Sequence, residues 1–321
     1  MAITSESRTE AVEPRIAGQE ARYTAGVEIR PGTTYGFFTD TTLCIGCKAC
    51  EVACKEWNSL PADAVAFKGT SYDHTGQLSA YTWRHVAFIE QEKPVAPAGD
   101  GRETADGSPP SMPGPSSFFL EGNGPRRAQA RWLMMSDVCK HCAHAGCLEA
   151  GPTGAIIRTE FGTVVVQQDV CNGCGYCVPA CPFGVIEVDV AGDGKAHKCT
   201  LCYDRLKVGM EPACAKACPT DSIQFGPLDL LRERARRRVQ ALHERGFTEA
   251  YLYGAEEGDP GATNGIEALH CFFLLLDRPN VYNLPERPRL PARNIVPALA
   301  AGLTMAAGLL AATIGIFSRR L

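Results

Sequence analysis

The chain has 321 residues, 45% of them hydrophobic, with a formal net charge of −4. That length suits one large or two modest domains, the apolar fraction excludes disorder throughout, and the slight acidity gives no reason to expect nucleic acid as a partner. Sixteen cysteines are too few for a disulfide miniprotein and the chain is too long to need stapling, so cysteine reads first as metal-ligand chemistry.

Residues 1–34 read as a flexible lead-in, and residues 1–30 hold neither an apolar run of the signal-peptide kind nor an adjacent arginine pair. Residues 35–226 form the cysteine-rich domain, with strand-like pieces at Arg84–Val86–Phe88, Thr163–Val166 and Val185–Val188. Within it, residues 94–125 carry seven prolines and six glycines and are expected to be a long surface loop. Residues 227–290 are expected to wrap the domain with helical and extended segments. Here Leu228, Leu231, Ala235, Val239 and Leu242 mark one face of an amphipathic helix, with Asp229 as its expected cap. Its other face carries six arginines between Arg232 and Arg245, which read as a solvated surface.

Residues 295–317 contain no charge, and 23 residues of helix at about 1.5 Å each exceed a hydrocarbon core of about 30 Å. Pro297 falls in the first turn, where its missing N–H does little harm. Ala298, Gly302 and Ala306 recur every four residues, as do Ala307, Ala311 and Gly315, a spacing that lets another membrane helix approach closely. Arg287, Arg289 and Arg293 precede the segment and Arg319 and Arg320 follow it. A single membrane-spanning helix is expected.

Cysteine recurs in four runs. The first is Cys44, Cys47, Cys50 and Cys54, spaced C-x2-C-x2-C-x3-C, and the third is Cys171, Cys174, Cys177 and Cys181 with the same spacing before Pro182. The fourth is Cys199, Cys202, Cys214 and Cys218 before Pro219. The second, Cys139, Cys142 and Cys147, ends on Gly151 and Pro152 where a fourth cysteine would stand. Three closely spaced thiolates can wrap one cuboidal iron–sulfur cluster, while a fourth, three residues on and before proline, reaches a neighbouring one. Zinc prefers two separated pairs. Four runs therefore imply two dicluster units, four clusters and sixteen ligands, against fifteen motif cysteines. Cys271 lies in an apolar run and reads as a buried small hydrophobe. His141, His144 and His197 stand beside cluster cysteines and are expected to pack on or hydrogen-bond to sulfur. No catalytic residues are expected in this chain.

The segments CIGCKACEVACKEWN (44–58), CKHCAHAGCLEAGPTGAI (139–156), CNGCGYCVPACPFGVI (171–186), KCTLCYDRLKVGMEPACAKACPTDSIQFG (198–226) and FFLLLDRPNVYNLP (272–285) resemble the iron–sulfur (beta) electron-transfer subunits of the molybdopterin oxidoreductases, formate dehydrogenase above all. The resemblance implies an α+β fold of two interleaved ferredoxin-like dicluster units plus the C-terminal helix. It also implies an electron relay from a molybdenum or tungsten pterin catalytic subunit to an integral-membrane quinone- or haem-binding subunit. Polysulfide and dimethyl sulfoxide reductases, which use similar subunits, give the alternative reading.

In that family the first run pairs with the fourth and the second with the third. The implied ligand sets are Cys44, Cys47, Cys50 and Cys218; Cys199, Cys202, Cys214 and Cys54; and Cys139, Cys142, Cys147 and Cys181. The last is Cys171, Cys174 and Cys177, with Gly151 at the empty position. Three 4Fe–4S clusters are then expected, and a fourth that is either 3Fe–4S or a 4Fe–4S with a non-cysteine ligand. That fourth cluster is expected at the membrane end and at higher potential. Counting Arg278, four arginines precede the span and two follow it, which favours a cytoplasmic cluster domain. In relatives of this family the clusters sit outside, exported with a partner's signal, and both faces stay open.

Overall fold

The first strand among the described residues is held between two strands from the far end of the chain. The computed structural model describes residues 28–62, 69, 72–93, 129–262 and 266–318. The expected lead-in up to residue 27 and the proline- and glycine-rich loop at 94–125 lie outside the described residues. Strand β1 (Tyr35–Asp40) leads into helix α1 (Ala49–Trp57), and a hairpin-like pair follows, β2 (Arg84–Lys93) and β3 (Gln129–Val138). Helix α2 (Gly146–Glu149) precedes the β4 (Ile156–Arg158) and β5 (Val164–Val166) pair. Helix α3 (Cys177–Ala180) precedes β6 (Glu187–Val188) and β7 (Ala196–His197). Then come α4 (Tyr203–Lys207), α5 (Ala213–Lys216), β8 (Ile223–Pro227), α6 (Leu228–Glu244), β9 (Tyr251–Tyr253), β10 (Cys271–Leu275) and α7 (Ile295–Ser318).

The largest sheet runs β8-β1-β10-β9. β1 is antiparallel to β8, with Phe37 opposite Phe225, and parallel to β10, with Phe37 opposite Cys271. All six residues of β1 are buried, because each face of the strand meets a different core. Phe38 stacks on Phe272, ring centres 5.4 Å apart, in the core shared with α6. Tyr35 and Phe37 point the other way and pack with Phe225 among the cysteines. This is the two-residue periodicity of a strand. Gly36 has no room for a side chain, since a Cβ there would lie 1.8 Å from the His270 carbonyl oxygen.

Helix α6 takes the expected face, burying Leu228, Leu231, Ala235 and Leu242. Two expectations need correction. Asp229 does not cap this helix, because the helix begins at Leu228 directly from β8. Asp229 therefore sits in the first turn, exposed, 3.6 Å from Arg232. The arginine face is not wholly solvated either: Arg238 is largely buried and donates from Nε to Asp40 Oδ2 at 2.8 Å. The strands read at 163–166 and 185–188 form over Val164–Val166 and Glu187–Val188 only. Helix α7, 24 residues long, has every described side chain exposed and is long and apolar enough to cross a membrane.

Candidate functional site

The four cysteine runs share one backbone device. The residue just before the second cysteine is left-handed in every run: Gly46 at φ 67°, His141 at 44°, Gly173 at 71° and Leu201 at 58°. Such a residue reverses the chain tightly enough to turn two cysteines three apart toward one point. Glycine adopts it freely, whereas His141 and Leu201 do so at about 1–2 kcal/mol each. The turn also aims backbone N–H groups at sulfur, as where Leu201 N–H donates to Cys199 Sγ at 3.3 Å. Gly173 is required on a second ground, since a Cβ would lie 2.0 Å from the Gly194 carbonyl oxygen. The third cysteine of each run then opens a short helix: Cys50 in α1, Cys147 in α2, Cys177 in α3 and Cys214 in α5.

Those helices pack in two pairs, α1 with α5 and α2 with α3. Gly146 makes the second approach possible, because a Cβ there would lie 2.5 Å from the Ala180 carbonyl oxygen. The pairing brings runs one and four together. Cys44, Cys47, Cys50 and Cys218 line one pocket, with about 290 Å³ between its walls, mouth included. Cys54 lies among Cys199, Cys214 and Cys202, each of which disfavours its ionisation. Runs two and three meet likewise. Cys139, Cys142, Cys147 and Cys181 line a second pocket of about 350 Å³, measured the same way. Cys177 responds to Cys171, Cys174 and Cys181.

Fourth-position cysteines thus reach across in three of the four runs. The second run ends instead on Gly151, which has no side chain to offer. Its φ lies outside the left-handed region, and a Cβ would meet nothing nearer than the Cys147 and Leu148 carbonyl oxygens at 3.8 Å. Neither backbone strain nor crowding demands glycine there.

The electrostatics fit bound positive charge. Burial pushes the Cys50, Cys147 and Cys199 thiols up to about 12, and neighbouring thiols push each of them the same way. Cys54, Cys142, Cys202, Cys44, Cys177 and Cys181 are raised for the same first reason. Thiols that oppose one another's ionisation become thiolates together only around bound positive charge. Buried donors complete the fit. His141 is fully enclosed, and burial, followed by the Lys198 charge, holds it well below the usual imidazole range and so neutral. Its Nδ1 accepts from Val164 N–H at 3.0 Å, which leaves the proton on Nε2. That Nε2 has no partner among the described residues, and His141 lines the Cys139 pocket.

The other candidates divide. His144 Nε2 is held by Glu267 at 2.7 Å on the exposed surface, and His197 by Asp193 at 2.9 Å. Cys271 is buried in the middle of the main sheet, beside Phe37 of β1, as expected of a small apolar group. Sequence reading missed the buried cations Arg84, Lys140, Lys198 and Arg205. Lys198 lines the Cys139 pocket, and Arg84 is enclosed near Cys50 and Cys214. Arg84 shows in the sequence only as a charge among the apolar residues of a strand.

Residues 130–228 match the 4Fe–4S dicluster domain family. Across 255 residues the chain is 38% identical to the formate dehydrogenase-O iron–sulfur subunit of Escherichia coli (strain K12), covering 78% of this chain and 71% of that one. It belongs to the formate dehydrogenase iron–sulfur subunit family. The formate dehydrogenase iron–sulfur subunit of Haemophilus influenzae is 36% identical, over 78% of this chain and 68% of its own length. The B subunit of the anaerobic dimethyl sulfoxide reductase of Escherichia coli is 33% identical over 63% of this chain and 78% of its own length. The protein therefore carries a ferredoxin-like 4Fe–4S dicluster domain of mixed α and β structure, with one apolar C-terminal helix as a candidate membrane anchor.

Proposed function

We propose that this chain is the electron-relay subunit of a membrane-bound formate dehydrogenase complex, set between a molybdopterin catalytic subunit and a membrane quinone- or haem-binding subunit. The observation that carries this reading is the reciprocal reach of the fourth cysteines: Cys54 among Cys199, Cys202 and Cys214, Cys218 with Cys44, and Cys181 with Cys139, Cys142 and Cys147. The ligand sets are then Cys44, Cys47, Cys50 and Cys218; Cys199, Cys202, Cys214 and Cys54; Cys139, Cys142, Cys147 and Cys181; and Cys171, Cys174 and Cys177, in two interleaved units.

Iron–sulfur clusters, when bound, supply reversible one-electron storage at potentials the protein adjusts. The chain's own residues do the rest. Cysteine thiolates fix position, and the left-handed loops turn N–H groups toward sulfur. Burial excludes water, and Arg84 and Lys198 lower the local negative charge. Thiols of successive sets act on one another's ionisation in one linear order: Cys214 on Cys50, Cys139 on Cys199 and Cys177 on Cys147. The three-thiolate set comes last, at the membrane end, and with Gly151 unable to ligate it takes a 3Fe–4S cluster beside three 4Fe–4S clusters. Helix α7 anchors the chain.

The test is purification of the tagged subunit from detergent-solubilised membranes, without oxygen, followed by EPR spectroscopy before and after formate. The expected result is a co-purifying molybdopterin subunit, an oxidised-state signal of the 3Fe–4S type, and reduction by formate. A complex inert to formate but reoxidised by dimethyl sulfoxide would assign the relay to the reductase branch instead.

A further inference from the structure

Arg84 is the first residue of β2, opposite Val138 of β3, and this register turns its side chain inward rather than to solvent. The guanidinium lies over the Phe37 ring, 4.8 Å from its centre. Nη1 donates to Ser136 Oγ at 2.9 Å, and Ser136 Oγ lies 3.2 Å from Cys50 Sγ. A ligating Cys50 has no proton to give, so the Ser136 hydroxyl donates to its sulfur and accepts from Arg84. The other edge of the fork is unsatisfied: Nε and Nη2 are buried and have no partner among the described residues. Nε–H and both Nη2–H groups left unpartnered on one buried cation would carry a full desolvation penalty. A surrounding of sulfur removes that cost.

We infer that Arg84 is a shared potential-setting residue, raising the reduction potentials of the two centres held by runs one and four. This rests on the ligand sets proposed above, which place Cys50 in one of those centres and Cys214, Cys199 and Cys54 in the other. Burial opposes the charge on Arg84, but Cys214 and Cys50, then Cys199 and Cys54, outweigh it and hold the guanidinium above its ordinary range. The Phe37 ring beneath it packs in one core with Cys50 of the first set and Cys199 and Cys214 of the second, so the cation borders both. Each added electron makes a cluster more negative, so a fixed neighbouring cation and its N–H groups favour the reduced state. Lys198 occupies the next junction, near Cys139, Cys147 and Cys199. Its ammonium already donates to the carbonyl oxygens of Val164 and Cys199, and it has no planar fork to divide between two centres.

The experiment is an EPR-monitored redox titration of the membrane-purified complex carrying Arg84→Gln or Arg84→Lys, with iron counted per chain. Arg84→Gln is expected to lower both run-one and run-four centres. At fixed potential their reduced-to-oxidised ratio falls about tenfold, 59 mV for a one-electron couple. Arg84→Lys, which keeps the charge and loses the fork, is expected to shift them less. The centres of runs two and three stay in place in both variants. Unmoved centres at full iron content, or an equal shift of all four, would overturn the inference. If Arg84→Gln loses iron, Arg84→Lys decides: full iron with a downward shift of the first pair upholds it. Full iron with no shift, or loss of iron here too, makes Arg84 a folding residue and overturns it. Absence of iron–sulfur signals in the unsubstituted complex would instead bring down the ligand sets themselves.

Discussion

Arg238 of α6 reaches across to Asp40 at the end of β1, with Nε 2.8 Å from Oδ2. The carboxylate is fully buried, and its other oxygen accepts from Thr42 N–H at 2.9 Å and from Thr42 Oγ1 at 2.6 Å. The Asp40 carbonyl accepts from Ser222 Oγ at 2.7 Å. The Asp40 carboxylate thus joins α6 to the turn that leads into Cys44, and its backbone carbonyl ties the same residue to the segment entering β8. Removing the cation strands a buried charge, which costs about 3–5 kcal/mol. Arg238→Met is therefore expected to lower the thermal unfolding midpoint by several degrees and to deplete iron at run one first, checked by calorimetry and iron analysis.

Gly151→Cys should restore a sixteenth ligand. The position has ordinary backbone and clear space around a Cβ, so the substitution carries little steric cost. Iron per chain is expected to rise by one, and the oxidised-state EPR signal to vanish. An unchanged signal would mean that position 151 does not face the Cys171 set.

Cys271→Ala should leave all clusters in place, because that cysteine is part of the apolar interior of the sheet. About 1 kcal/mol of stability is expected to be lost. Loss of iron in this variant would make Cys271 a ligand after all.

Stability should fall in mild acid. Burial, and secondarily Arg158, pull His270 down to about 4 despite its hydrogen bond to the Gly162 carbonyl. An unfolded histidine takes up its proton near 6.5, so between 6.5 and 4 the unfolded state binds more protons and stability declines as pH falls, levelling below 4. The full effect is about 3 kcal/mol. Anaerobic denaturant titrations at pH values of about 7.5 and 5, either side of the free-histidine value, should show it, and His270→Gln should make it shallower but not abolish it, because His141 is also held neutral.

Deleting residues 295–321 should release the subunit from membranes with its iron intact, because no described side chain of α7 is buried. Fractionation and iron analysis check this. An insoluble, iron-poor product would show that the helix supports the fold.

The site was more legible in the sequence than the fold that carries it. Ligand spacing is a local property: two residues between cysteines let one tight turn bring both thiols to a common point, so the runs announce themselves. The left-handed turn at Leu201 does not, because a leucine there is held by the completed site rather than by local preference. Helix α6 could be read because one apolar stripe faces one core. Strand β1 could not, because Tyr35, Phe37 and Phe38 serve two cores at once and leave no polar alternation. Arg84 and Asp40 look like surface charges until the elements that enclose them are assembled.

Thr41 Oγ1 donates to the Leu274 carbonyl oxygen, 233 residues later in the chain. At synthesis rates of about 5–20 residues per second, the segment holding Cys44, Cys47 and Cys50 leaves the ribosome roughly ten to fifty seconds before the strand that must lie beside it. The earliest thiols made are among the last to be enclosed, so during translation they stand open to oxygen and stray metal. Enclosure of these cysteines therefore needs the far strand in place, and any chaperone that shields them must act before then.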